Sequence, residues 1–133
     1  MVRDFPLESV HPHAFKAAEA THCAGETGKY WGMHERLFAH QRALSPADLL
    51  AHAQALGVDA AAVAECLNSG RHADRVRRGI AEGEQAGVRG TPTFFLAVAE
   101  PGAPTLRVLR VIRGAQPFAA FKAAIDGALA APR

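Results

Sequence analysis

Apolar residues recur every three to four positions through most of this chain, then give way after Gly87 to a dense β-branched and aromatic run. That change of period separates a helical stretch from a hairpin followed by one more helix. Val2–Phe5 reads as a short strand closed by Pro6, which has no N–H to give a ladder. The alanine-rich stretch from Pro12 to Ala24 predicts a helix, with Gly25 and Gly28 as stops. A second helix is expected over Lys29 to His40, with Tyr30, His34, Leu37 and Phe38 along one stripe. Ser45-Pro46-Ala47-Asp48 is the strongest local signal: a capping serine, a proline suited to the first helical position, and an anion where the macrodipole favours one. That helix carries Leu49, Ala53 and Leu56 on its apolar side and ends at Gly57. Asp59 caps a further helix bearing Val63, Cys66 and Leu67, closed by Gly70. Another is expected from about Arg71 to Ala86, with Val76 and Ile80 inward and Gly87 as the stop.

Beyond Gly87, Thr93–Val98 predicts a strand, Glu100–Pro104 a turn, and Thr105–Ile112 a second strand. In the second strand Leu106, Val108 and Arg110 alternate with Arg107, Leu109 and Val111, so both faces carry apolar surface. The last helix begins near Gln116-Pro117 and sets Phe118, Phe121, Ile125 and Leu129 on one face. There is no internal repeat and no low-complexity linker. The pattern predicts one domain over residues 1–133.

At 133 residues, with 49% of them hydrophobic, the chain is long enough for a real core. A formal net charge of +2, with both signs interspersed, gives no field that argues for nucleic acid. No apolar run approaches the roughly 20 residues of a spanning helix. Arg3 and Asp4 follow Met1 where a leader would be apolar, so the product as written is expected in the cytoplasm.

The chemistry-bearing residues are sparse. Cys23 and Cys66 are the two cysteines, too far apart for a redox pair on one helical turn. Cys23 falls mid-helix and Cys66 late in its helix, where the dipole disfavours a thiolate, so neither is expected to be catalytic. They are either buried small apolar groups or a long-range staple, and both readings stand. His11 and His13 form an H-x-H pair and His22 adjoins Cys23, but His34, His40, His52 and His72 are scattered without ligand spacing. No metal site is expected, because catalytic zinc needs three convergent ligands. Arg71, Arg75, Arg77 and Arg78 form a local basic cluster that reads as a solvated face.

Four dispersed segments resemble one family. Arg3-Asp4-Phe5-Pro6-Leu7-Glu8 with His11-Pro12-His13-Ala14 resembles the strand and connector after the catalytic helix of DsbA-like, thioredoxin-fold disulfide oxidoreductases. Trp31, Met33, His34, Leu37 and Phe38 resemble the helical subdomain inserted in those proteins. Gly87-Val88-Arg89-Gly90-Thr91-Pro92-Thr93-Phe94-Phe95 resembles their cis-proline segment, and Gly114-Ala115-Gln116-Pro117-Phe118 resembles the start of their final helix. The resemblance implies an α/β chain with a partial thioredoxin-like fold of DsbA type, carrying a helical insertion. Residues 1–10 would be a core strand and connector, 11–87 the insertion and following helix, and 88–133 the cis-proline loop, hairpin and C-terminal helix.

The resemblance also defines what is missing. Disulfide exchange needs a thiolate and a resolving thiol, and the family carries them as Cys-x-x-C at a helix N-terminus. The 133 residues contain no such motif. The first core strand and the catalytic helix are therefore expected to be absent. The chain is expected to be a fragment, or a late-started reading, of a longer oxidoreductase, inactive as given and without a cofactor. The opposing expectation is a native short form that accepts a partner strand, by strand exchange or dimerisation, in a gap about 9–10 Å wide. By resemblance Thr91-Pro92 is a cis bond, and Gly90, Thr91 and Pro92 hold an extended peptide or a cysteine-containing protein substrate by β-addition. Gly90 is expected to lend backbone freedom there. The family's oxidising compartments favour a Cys23–Cys66 bond and place the parent in the periplasm or cell envelope. The alternative function is a non-catalytic peptide- or protein-binding module; a helical spacer is a third class. Within the first class stands the thioredoxin-like domain appended to certain membrane antiporters.

Overall fold

Local chemistry sets the helix boundaries first. At Ser45 the expected start becomes a full capping box: the Ser45 hydroxyl accepts from the Asp48 N–H, and the Asp48 carboxylate accepts from the Ser45 N–H at 3.0 Å. Asp59 Oδ1 accepts from the Ala61 N–H at 2.9 Å, starting the next helix, and Gly70 ends it in the left-handed region at φ 64°. The computed structural model, which describes residues 1–100 and 102–130, orders the chain as α1 (Ala14–Gly25), α2 (Tyr30–Ala39), α3 (Pro46–Ala55), α4 (Ala60–Ser69), α5 (Ala73–Gln85), β1 (Thr93–Ala99), β2 (Leu106–Arg113) and α6 (Phe118–Ala130). These fall into two units, Met1–Ala86 and Gly87 onward.

In the first unit α1 is the central element, packing on α2, α3, α4 and α5. Three of its buried residues, Ala17, Ala20 and Ala24, are small, which lets Met33, Leu37 and Leu49 approach closely. A second cluster joins Cys23, Ala53, Val58, Val63 and Cys66. The stripe expected on α2 is rotated. Met33 is fully buried beside Leu37, whereas Phe38 is 64% exposed. Tyr30 and His34 are half-buried. The small α1 surface accepts the flexible methionine, and Phe38 faces outward against the His34 ring.

Residues 2–5, expected as a strand, are in no strand and pair with none among the described residues. Lacking a ladder, this segment lies across α5, over two glycines one helical turn apart. A Cβ on Gly79 would stand 2.6 Å from the Asp4 carbonyl oxygen, and one on Gly83 2.6 Å from the Phe5 ring. The segment is further held by Arg3–Glu82 at 3.3 Å and by Asp4 Oδ2 at 2.7 Å from His22 Nε2.

The second unit is an antiparallel hairpin with α6. Its register runs from Thr93 opposite Arg113 to Ala99 opposite Leu106. Leu96 faces Arg110 and Ala97 faces Val108, so Leu109 is an extra residue, a bulge. That insertion breaks the alternation expected across β2. The turn contains Gly102 at φ 78°, with the Ala103 N–H bonded to the Glu100 carbonyl; Pro101, part of the expected turn, lies outside the described residues. On α6, Phe121 meets Phe94 edge-on at 4.9 Å and Ala124 is buried. Phe118, Ile125 and Leu129, expected on the same inward face, are exposed. A two-stranded hairpin offers too little surface to cover a 13-residue helix.

Candidate functional site

The loop before β1 is built from Gly90, Thr91 and Pro92. The Thr91–Pro92 peptide bond is cis. Two contacts fix the loop where it enters the hairpin: the Pro92 carbonyl accepts from the Gly114 N–H at 2.8 Å, and the Thr93 hydroxyl donates to the Gly90 carbonyl at 2.7 Å. Thr91 and Pro92 are exposed. Neither the N–H nor the C=O of Thr91 has a partner among the described residues. An exposed donor and acceptor on one residue, continuous with a strand, is the geometry of an unoccupied ladder position. The backbone freedom expected of Gly90 is not called on. Its φ is not positive, and a Cβ there would meet nothing within 4 Å.

In the first unit Cys23 and Cys66 form a disulfide joining α1 to α4, so no free thiol is present. Of the two readings the sequence left open, the staple is the one found. Around it the chain assembles a polar cluster from residues remote in sequence. Glu26 follows α1 and accepts from Arg71 twice, Nε to Oε1 and Nη2 to Oε2, both at 2.9 Å. Its Oε1 is also 2.8 Å from His72 Nε2 and 3.9 Å from Cys66 Sγ. His72 tilts against His22 at 5.7 Å between ring centres, and His22 bonds to Asp4. A cleft of about 610 Å³ runs beside these groups, lined among others by Asp4, His22, Tyr30, Trp31, Arg75 and Arg78. The basic cluster is thus divided: Arg71 serves Glu26, Arg77 pairs with Asp74 at 2.9 Å, and Arg75 and Arg78 line the cleft. His11 and His13 lie exposed ahead of α1, away from this cluster. Sequence reasoning missed Glu26 altogether. Nothing local marks a glutamate in a turn as the partner of an arginine 45 positions on.

Glu26 and Tyr30 are both shifted from their ordinary ranges, in opposite directions. The Arg71 hydrogen bonds, then that of His72, hold the Glu26 carboxyl down at about 2. Desolvation, followed by the Asp4 charge, pushes the Tyr30 phenol up. Glu26 is depressed in the folded state, so its stabilisation is complete above its ordinary value of about 4.5 and fades as pH falls towards 2. The pair is half-exposed, and solvent screening keeps the effect small. Urea midpoints measured from pH 5 down to pH 2 should fall less steeply in Glu26→Gln than in the parent. Equal slopes would show that the carboxylate contributes nothing.

A family model described as DSBA-like thioredoxin domain matches residues 3–126. The chain belongs to that family. Among the described residues, six helices and a two-stranded antiparallel sheet are consistent with a partial DsbA-like thioredoxin fold. Curated relatives of this DsbA-like chain carry an unrelated-sounding name. It is 45% identical over 94 residues to a protein named Na(+)/H(+) antiporter NhaA 3 from Salinispora tropica, covering 71% of this chain and 14% of that one. It is 36% identical over 96 residues to Na(+)/H(+) antiporter NhaA 1 from Mycobacterium sp. (strain KMS), covering 71% and 16%. It is 35% identical over 86 residues to Na(+)/H(+) antiporter NhaA from Herminiimonas arsenicoxydans, covering 65% and 14%. The matched region thus spans about a seventh of each relative's length. No solved structure matches the chain. No helix among the described residues is long and apolar enough to cross a membrane.

Proposed function

We propose that this chain is the substrate-holding part of a DsbA-type thiol–disulfide oxidoreductase, and that as given it binds extended, cysteine-containing segments without turning them over. The observation that carries this reading is the free, exposed backbone of Thr91 beside Pro92, at the entry to β1. Gly90 and Pro92 frame it, and an incoming strand would pair with the Thr91 N–H and C=O. The chemistry is limited by sulfur. Exchange requires an attacking thiolate, and the two cysteines present are bonded to one another and buried. A periplasmic or cell-envelope setting follows from the family's oxidising chemistry.

A second reading has its own support. Relatives named as antiporters match over only about a seventh of their length, and no helix among the described residues here is long and apolar enough to cross a membrane. On that reading the chain corresponds to a thioredoxin-like domain appended to a transporter, and acts as a non-catalytic peptide- or protein-binding module.

An extended cysteine-containing peptide should bind the chain and shift the amide resonances of Gly90, Thr91 and Thr93. N-methylation of the peptide at the residue facing Thr91 should weaken binding about tenfold, the loss of one backbone hydrogen bond that leaves its partner unpaired. Insulin reduction should not rise above the background of free thiol. If N-methylation changes nothing, the Thr91 site is wrong. Turnover that survives replacement of both cysteines would overturn the account of the chemistry.

A further inference from the structure

We propose that, once its disulfide is reduced, this chain holds a zinc ion through Cys23, Cys66 and His72, with Glu26 as the fourth donor. The two sulfurs and a ring nitrogen of His72 lie within 4.8 Å of one another. They are brought together by three different elements: α1, α4 and the residue that caps α5. Two thiolates and an imidazole are the donor set zinc prefers, and tetrahedral coordination takes four ligands at roughly 2.0–2.3 Å. Glu26 Oε1, already 2.8 Å from His72 Nε2 and 3.9 Å from Cys66 Sγ, is turned into the cluster from its side.

Charge and access both suit a cation of this kind. Two thiolates and one carboxylate around Zn²⁺ leave a single negative charge, and Arg71, which bonds both oxygens of Glu26, offsets it. The sulfurs are almost wholly buried, so the bound ion would be shielded from water on their side. An entry path exists on the other: a cavity of about 360 Å³ lined by His22, Gly25, Glu26, Tyr30, His72 and Arg75. The cluster belongs wholly to the helical unit and does not depend on the peptide-holding loop.

The redox step balances simply. A dithiol donor delivers two electrons and two protons to the Cys23–Cys66 bond, giving two thiols, and becomes a disulfide itself. Zinc then binds as both thiols lose their protons to solvent, which lets the sulfurs move apart while each remains on its helix.

The test uses the full chain, reduced with a phosphine that does not compete for zinc, then incubated with zinc chloride and desalted. The reduced chain should retain about one zinc per molecule and the oxidised chain less than about a tenth of that. Cobalt(II) in place of zinc should give the thiolate-to-metal absorption of a tetrahedral sulfur site. His72→Ala, which leaves the cysteines in place, should weaken zinc binding at least about tenfold. The proposal is overturned if the reduced chain stays folded and retains no zinc, if oxidised and reduced chains retain it equally, or if His72→Ala binds as well as the parent. Reduction that unfolds the chain still decides the matter: refolding on addition of zinc supports the site, and failure to refold removes it.

Discussion

Replacing Cys23 and Cys66 together by alanine should lower the stability of the helical unit by about 4 kcal/mol. The cysteines are 43 positions apart, and closing a loop of that size removes about 13 cal/mol/K of entropy from the unfolded chain. The native state loses little packing in exchange, since both residues already sit as small groups in an apolar cluster with Ala53, Val58 and Val63. Domains of this size are stable by only about 5–15 kcal/mol, so the loss should be plain in a urea titration followed by circular dichroism. The parent measured in reductant without added metal should match the double variant. A change below about 1 kcal/mol would show that the bond constrains an unfolded chain already held by other contacts.

The second large effect separates two glycines that look alike in sequence. Gly79 and Gly127 both lie inside helices, and alanine in a helix interior is favoured over glycine by about 1 kcal/mol. At Gly127 a Cβ meets nothing within 4 Å, so Gly127→Ala should stabilise by up to that amount. At Gly79 the same carbon would stand 2.6 Å from the Asp4 carbonyl oxygen, and backbone cannot swing aside as a side-chain tip can. Overpacking of this kind costs about 1–3 kcal/mol, and displacing Asp4 also strips the buried His22 of its partner. Gly79→Ala should therefore destabilise by about 2 kcal/mol net, and amide exchange in residues 2–5 should quicken. Two substitutions with the same sign would mean that the N-terminal segment does not rest on α5.

Much of the architecture was readable because its causes are local. The Ser45 capping box, the Asp59 cap and the Gly70 stop each depend on neighbours within four residues, and all three stand where the pattern put them. The hairpin was equally legible from its β-branched and aromatic residues, although nothing local announced the extra residue at Leu109. Phe38 was placed on the α2 stripe and Met33 left off it, because periodicity finds a stripe but not which edge of it meets a bed of alanines. Residues 2–5 were read as a strand closed by Pro6, while the real signal lay elsewhere: two glycines four apart on α5, each unfavourable in a helix unless something approaches closely. At the candidate site, Gly90, Thr91 and Pro92 were recognised by resemblance and then found with the Thr91 backbone unpaired. The cluster of Glu26, Arg71 and His72 around the disulfide was not legible, because its members meet only when α1, α4 and α5 are already in place.

The tie between α1 and α4 encloses the whole run of chain from residue 24 to residue 65, including the exposed corner at Gln41 and Arg42. A protease that clips that corner produces two peptides by sequence and one particle by mass. The nicked molecule keeps its Cys23 end and its Cys66 end on the same covalent graph, and it falls into halves only when something supplies electrons to the sulfur bridge.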